Sequence, residues 1–394
     1  MKTISNIKRG LFCFIVLLIP ISILAQEQSE NLELYQSIIP TSKQSLLKDI
    51  DVIFNTRFGF NSEFKNGDYS KSVFSVSQFR LEIKGKIHEK VGFRFRDRYT
   101  RTPKIGSQDN INRTTDIAAL FIDFAPRTKF SMGKLLADLG GYEFDMNAIY
   151  ILEYNDILDN SDHNLTGMGI SHKLKDGKNT LKFQILDSRT NILKEQYDNN
   201  IPDGTVESKT ALAFVSNWQG SFFGGKFETS YSYGFFNEAK NTSMNYIALG
   251  NKFKSNKLLL YYDFKYSAED LDRRGIVQKL VKGADASKDV VYVENWLRAE
   301  YRVKPKVNLV LTLMNHNSYW NGNPDVNASN KLFTSYGLIP TVEYYPFKDL
   351  KLKFYLGYIA RRYDYSSYAE KTYGLKDANT GRLSFGIIAP ILVL

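Results

Sequence analysis

Residues 91–100 read VGFRFRDRYT. Val91, Phe93 and Phe95 fall on one parity, and Arg94, Arg96 and Arg98 fall on the other. A period of two predicts a β-strand whose side chains leave alternately to opposite faces, one apolar and one carrying three guanidiniums. In a soluble sandwich the apolar face would be core and the arginines would be solvated. In a membrane barrel the apolar face meets lipid and the arginines line an aqueous lumen. The reverse orientation would set three arginines in lipid at about 2 to 4 kcal/mol each near the midplane, a sum that rivals a domain's whole stability. The orientation of this strand is fixed under either fold, and the rest of the chain must choose between them.

Lys2, Lys8 and Arg9 precede an apolar run from Leu11 to Leu24 and the pair Ala25-Gln26. A basic start, an apolar stretch too short to span a bilayer comfortably and a small residue at a cleavage point predict a secretory signal peptide over residues 1–25. The single cysteine, Cys13, lies inside that stretch, so the mature chain is closed to disulfides, thiolate metal sites and cysteine nucleophiles. Removing those three basic residues, with no acidic residue lost, takes the formal charge from +10 to +7. The excess is interspersed with acids rather than clustered, which together with export argues against a nucleic-acid partner. No later stretch approaches the roughly 20 apolar residues of a transmembrane helix, yet aromatic residues make up 14% of the chain. Export, abundant aromatics and diluted hydropathy suit strands that cross a membrane.

Residues 26–49 are polar and unpatterned and predict a periplasmic leader. From Asp51 onward alternating segments of strand length recur sixteen times, the length a tilted membrane strand needs. Their connections alternate in length. Short ones fall at 86–90, 125–128, 175–178, 220–225, 254–256, 304–306 and 346–349. Long ones fall near 61–72, 101–115, 135–165, 189–209, 236–242, 267–289, 317–333 and 364–381. Short periplasmic turns, long extracellular loops and an even strand count predict an all-β fold, a transmembrane antiparallel up-and-down barrel over residues 50–394. Tyr99, Tyr233, Tyr266, Trp320, Tyr344, Tyr345 and Phe347 at strand ends suit interfacial girdles.

On strand count, loop alternation, the Phe-Arg-Phe-Arg strand and the segment Lys129-Phe130-Ser131-Met132-Gly133-Lys134 leading into a long third loop, the chain resembles the sixteen-stranded outer-membrane porins, specifically the phosphate-selective porin O and P family. One departure is its ending, Ile391-Leu392-Val393-Leu394, where porins close on an aromatic. The resemblance implies a third loop folded into the barrel, a homotrimer, and an outer membrane of lipid and lipopolysaccharide as surroundings.

Parity places Arg57, Arg80, Lys84, Arg94, Arg96 and Arg98 inside on strands one to three, and Lys351, Lys353, Arg361 and Arg382 inside on strands fifteen and sixteen. Barrel closure would join them into one pore-lining basic wall. The third loop, 135–165, carries the opposite sign with Asp138, Glu143, Asp145, Glu153, Asp156, Asp159 and Asp162, and holds no lysine or arginine. At about thirty residues it exceeds an ordinary connection and reads as functional. Folded inward, it would set an acidic strip against the basic wall across a narrow aqueous gap, making a transverse field. Solvated outside, its acids would instead bind calcium or lipopolysaccharide-bridging cations. Inward acids Glu82, Asp123, Glu228, Asp263, Glu294, Glu300 and Glu343 offset part of the positive charge. The expectation is a porin for small hydrophilic solutes and ions with a modest anion preference.

His88, His163, His172 and His316 show no metal-ligand spacing, and no serine-nucleophile or phosphate-loop motif accompanies them. An enzyme is not expected, nor a metal or other cofactor. The alternatives are a substrate-specific transporter for phosphate or a hydrophobic compound, and a non-conducting structural or secretion-associated barrel.

Overall fold

A computed structural model describes residues 50–100, 111–197, 200–281, 285–323, 325 and 329–393. The expected signal peptide 1–25 and leader 26–49 lie outside the described residues. Sixteen strands follow one another: β1 (Ile50–Lys65), β2 (Asp68–His88), β3 (Val91–Thr100), β4 (Ile111–Ala125), β5 (Thr128–Leu136), β6 (Asn164–Lys173), β7 (Asn179–Asp187), β8 (Leu212–Phe222), β9 (Phe227–Ala239), β10 (Thr242–Lys254), β11 (Leu258–Leu271), β12 (Lys288–Lys304), β13 (Val307–Trp320), β14 (Lys331–Tyr344), β15 (Lys353–Tyr365) and β16 (Ala378–Leu392). Each pairs antiparallel with its neighbours in sequence, and β16 closes on β1. Short helices punctuate the long loops: α1 (Tyr142–Asp145), α2 (Asp156–Asp159), α3 (Leu193–Gln196), α4 (Ile276–Val281) and α5 (Ser367–Tyr373).

Burial is inverted relative to a soluble domain. Phe74 and Phe124 are 83% and 80% exposed, while Lys265 and Glu294 are 0% exposed. Phe183, Leu311, Leu338 and Phe385 also face outward, which is the apolar band a lipid-facing barrel surface requires. Along β12 the residues Tyr292, Glu294, Trp296 and Arg298 are buried in turn, so the period of two sends charge inward as the sequence predicts.

Two long connections expected from the sequence are tight turns instead. β1 and β2 pair to Lys65–Asp68 across Asn66-Gly67, both at positive φ. Asn-Gly suits such a turn because both residues tolerate that backbone at little cost. The polar run that suggested a loop over 61–72 is strand, continued by pairing rather than by hydrophobicity. The 236–242 connection likewise tightens to Lys240-Asn241, with Asn241 at φ 57. Trp320 is not a girdle residue, for it is buried on the inward parity of β13 and packs against Tyr373.

Closure depends on a close approach. Gly59 on β1 faces Gly386 on β16, and Gly386 in turn faces Tyr355 on β15. The Tyr355 ring fills the space both glycines leave, and its hydroxyl meets Ser384 Oγ at 3.1 Å. A Cβ on Gly386 would stand 2.0 Å from the Phe58 carbonyl oxygen, which is backbone and cannot swing aside. Gly386→Val should therefore open the seam, costing about 1 to 3 kcal/mol or more. The expected outcome is conversion of the folded gel band to the unfolded one at a lower temperature in semi-native electrophoresis, with Gly386→Ala intermediate.

Candidate functional site: the lumen beside the third loop

The loop between β5 and β6 folds into the barrel, and barrel side chains satisfy its backbone. A loop buried this way must find partners for its amides and carbonyls. Asp263 accepts the Tyr142 and Glu143 amides at 2.8 and 2.7 Å, holding the first turn of α1. Glu143 is fully buried, forms an ion pair with Lys265 and accepts the Asn155 amide at 2.7 Å. Glu294 accepts the Ile157 amide at 2.5 Å, and the Asn155 side-chain amide reaches the Asn295 and Asn315 carbonyls at 3.3 and 3.2 Å.

Four arginines grip the carbonyls of residues 148–152 and 154. Arg57 donates to Ala148 and Ile149 at 3.4 and 3.3 Å and also to Ile151. Arg298 donates to Tyr150 at 3.3 Å, Arg382 to Leu152 at 3.0 Å and Arg361 to Tyr154 at 3.4 Å. Guanidinium carries five donors and no acceptor, so one side chain can satisfy several irregular carbonyls. Two of the four also pair with loop acids, Arg361 with Asp156 at 2.6 Å and Arg382 with Glu153 at 2.8 Å. Ile151 packs beneath them with Trp296, Met314, Ile339 and Ile359, so this side of the lumen is dry and filled.

Space remains on the other side. A cleft of about 1380 Å³ runs from Lys84, Lys129, Gln219 and Pro390, near the short-turn ends of their strands, to Thr190, Asn191 and Gln278 in the long loops. One wall is basic, with Arg80, Lys84, Arg94, Arg96 and Arg98. Register sets Arg80 opposite Arg98, Glu82 opposite Arg96 and Lys84 opposite Arg94 on neighbouring strands. Like charges directly opposed destabilise a sheet, and only part of the repulsion is relieved. Glu82 meets Arg94 at 3.0 Å, while Asp116, in an irregularity of the β3–β4 pairing, lies 3.5 Å from Arg96 and 3.2 Å from Arg98. The Arg80 Nε is buried without a hydrogen-bond partner among the described residues. Asp138, Asp145, Asp159 and Asp162 line the same cleft from the third loop. Asp138 pairs with Lys182 at 2.9 Å, and Asp162 accepts from the Thr190 hydroxyl at 2.8 Å.

The structure thus divides both predicted sets. Arg57, Arg361 and Arg382 lie inside the barrel, but they hold the third loop in direct contact instead of facing it across water. Lys353 pairs with Glu343 at 2.5 Å and sits 4.4 Å over the Tyr150 ring. Lys351 falls in the turn before β15 rather than on the strand. Glu143, Glu153 and Asp156 are anchors, not a strip facing the basic wall. Parity fixes which face a side chain leaves from, and what fills that face decides its task.

The sequence reading missed Lys129, Lys182, Arg273, Arg274 and Lys279, which also line the cleft. The two arginines arrive on the β11–β12 loop, which turns inward and pairs them with Glu238 and Glu269. Asp272 starts that turn by accepting the Gln278 and Ile276 amides at 2.7 and 3.2 Å and the Tyr292 hydroxyl at 2.6 Å. Burial pushes the Asp272 carboxyl up to about 6. The legible signal was an aspartate ahead of Ile276, Val277, Leu280 and Val281 at helical spacing. Asp156, Glu294 and His316 offer ligand atoms within 4.8 Å of one another. Arg361 pairs with Asp156 and Lys265 with Glu294, and Glu294 also accepts the Ile157 amide, so these groups help latch the loop.

Solved structures share this architecture. The outer-membrane channel DcaP of Acinetobacter baumannii aligns with a TM-score of 0.59 at 11% identity, over 91% of this chain and 100% of that one. An anion-selective porin from Comamonas acidovorans aligns at 0.55 and 12% identity, over 87% and 98%. OmpT of Vibrio cholerae in its trimer form aligns at 0.52 and 10%, over 86% and 98%. At these identities the likeness is one of fold. No curated protein sequence matches the chain. The family model that does match, phosphate-selective porin O and P, spans residues 52–387, and with the inward loop and basic wall in place the chain belongs to that outer-membrane porin family.

Proposed function

We propose that this chain is a diffusion porin that lets small hydrophilic solutes and ions cross the outer membrane with a modest preference for anions. The observation that carries the reading is the continuous cleft whose one wall bears Arg80, Lys84, Arg94, Arg96 and Arg98 against Glu82 and Asp116. A surplus of fixed positive charge along a narrow aqueous path raises the local anion concentration. The four aspartates on the loop side oppose it, which keeps the preference modest. The loop is clamped at its backbone, so the path has a set width. Residues 1–25 direct export, the apolar band sits in lipid beneath lipopolysaccharide, and three copies assemble as in the trimeric fold relative.

In planar bilayers under a KCl gradient, open steps with an anion-leaning reversal potential are expected. The variant Arg94→Ala/Arg96→Ala/Arg98→Ala should move that potential toward cation preference. Raising ionic strength from about 0.1 M to 1 M should shrink the difference, because screening shortens from ~10 to ~3 Å. Absence of open steps in the folded wild-type protein would overturn the channel reading. Loosening the clamp tests the path's width. Arg57→Ala removes the guanidinium donors that hold Ala148, Ile149 and Ile151, and should give larger, noisier single-channel steps, whereas Lys84→Ala should alter selectivity without that noise.

A further inference from the structure

The cleft is not charged on every side. The third loop also contributes Phe144 and Tyr154 to the lining, and His163 stands just before β6. Phe144 and His163 meet edge-to-face at 5.3 Å. Burial raises the Tyr154 phenol above its ordinary range, and among the charges nearest to it Arg80, Arg57 and Arg96 oppose that rise. The ring is therefore neutral and stands before the guanidiniums. It does not move freely, since its own carbonyl is held by Arg361 and the carbonyls before it by Arg57, Arg298 and Arg382.

Such a wall suits some anions poorly. Chloride and inorganic phosphate are strongly hydrated, and an aromatic ring cannot replace the water it displaces. Its face is also electron-rich and repels a small anion. An anion that carries its own ring meets both walls on their terms, with the headgroup on guanidinium and the ring against Tyr154 and Phe144. The polar atoms on offer agree. Arg80 Nε and Arg98 Nε are buried without a hydrogen-bond partner among the described residues, and buried donors of this kind ordinarily have one.

Resting on the porin reading, we infer that the cleft is a selectivity site for aromatic anions, compounds with a carboxylate or phosphate headgroup on a planar ring, which bind between the Arg80–Arg98 pair and the Tyr154–Phe144 shelf. Arg80 and Arg98 take the headgroup, and Tyr154 and Phe144 determine preference for the ring.

Phenyl phosphate carries a phenoxy ring in place of one hydroxyl of inorganic phosphate, and compared at mildly alkaline pH, where both are chiefly dianions, the two make the matched test. In single-channel recordings on the full chain, the concentration that halves the open current is measured for each. Phenyl phosphate should block at a concentration about fivefold to tenfold lower, the scale of one aromatic contact. Tyr154→Ala should bring the ratio close to one, while Tyr154→Phe, which keeps the ring, should retain it. Arg80→Ala should raise both concentrations. Each variant is first shown to run as a folded, heat-modifiable band. Equal block by the two compounds in wild type, or an unchanged ratio in Tyr154→Ala, overturns the proposal while leaving the porin standing. No open steps before any blocker is added overturns the channel reading and the proposal with it.

Discussion

The third loop enters the lumen with irregular backbone, and the structure depends on what satisfies its carbonyls. Water could do so in an open pore, but the loop lies against Trp296, Met314 and Ile359, where water is excluded. An unpaired buried carbonyl costs roughly 1 to 3 kcal/mol, and the six that the arginines reach, those of residues 148–152 and 154, would together expel the loop if left without these donors. Arg57, Arg298, Arg382 and Arg361 supply the donors from four different strands. Lysine could not take their place, because a single ammonium lacks the fork that spans neighbouring carbonyls. The acids Glu153 and Asp156 then offset two of those buried charges. Breaking one partner of such a set leaves a charge stranded in low dielectric, which is why the arrangement holds as a unit.

From this follows the asymmetry of the lumen. The loop takes its charged anchors from β11, β12, β15, β16 and β1, leaving the β2–β3 ladder open to the cleft. On that uncovered side the register opposes Arg80 with Arg98 and Lys84 with Arg94. A sheet selected for stability alone would place acids at those positions. Retaining the repulsion is intelligible where the field itself has a use, as it does beside a path for ions. The counter-charges present, Glu82 and Asp116, lie within the ladder and space its cations without cancelling them.

Much of this was legible in the sequence, and for a physical reason. A membrane barrel inverts the usual burial rule but keeps the period of two, so Arg94, Arg96 and Arg98 could be oriented from their neighbours alone. Strand number and closure followed from turn spacing. Asn66-Gly67 shows where the reading slipped. Its turn chemistry is plain, yet the flanking polar residues read as loop, although strands paired above a membrane have no need of apolar side chains. The tasks of Arg57 and Arg361 were illegible for a different reason. Their partners are carbonyls some 90 and 200 residues away in sequence, and a carbonyl leaves no mark on residue type.

Within one barrel, then, the same residue on the same parity does two opposite things. Arg57 is a structural donor whose charge is hidden beneath the loop, and Arg80, one strand over and paired in register with Asn55, lines the cleft with its Nε unpartnered among the described residues. What separates them is coverage by the loop. Because four arginines hold the loop by its backbone, loop side chains other than the anchors Glu143, Glu153 and Asp156 can vary without breaking that clamp. Residues such as Tyr154 and Phe144 can therefore change the character of the cleft while Arg57, Arg298, Arg361 and Arg382 keep its dimensions. A porin built this way can alter its solute through the loop's side chains alone, on a frame and a field that stay the same.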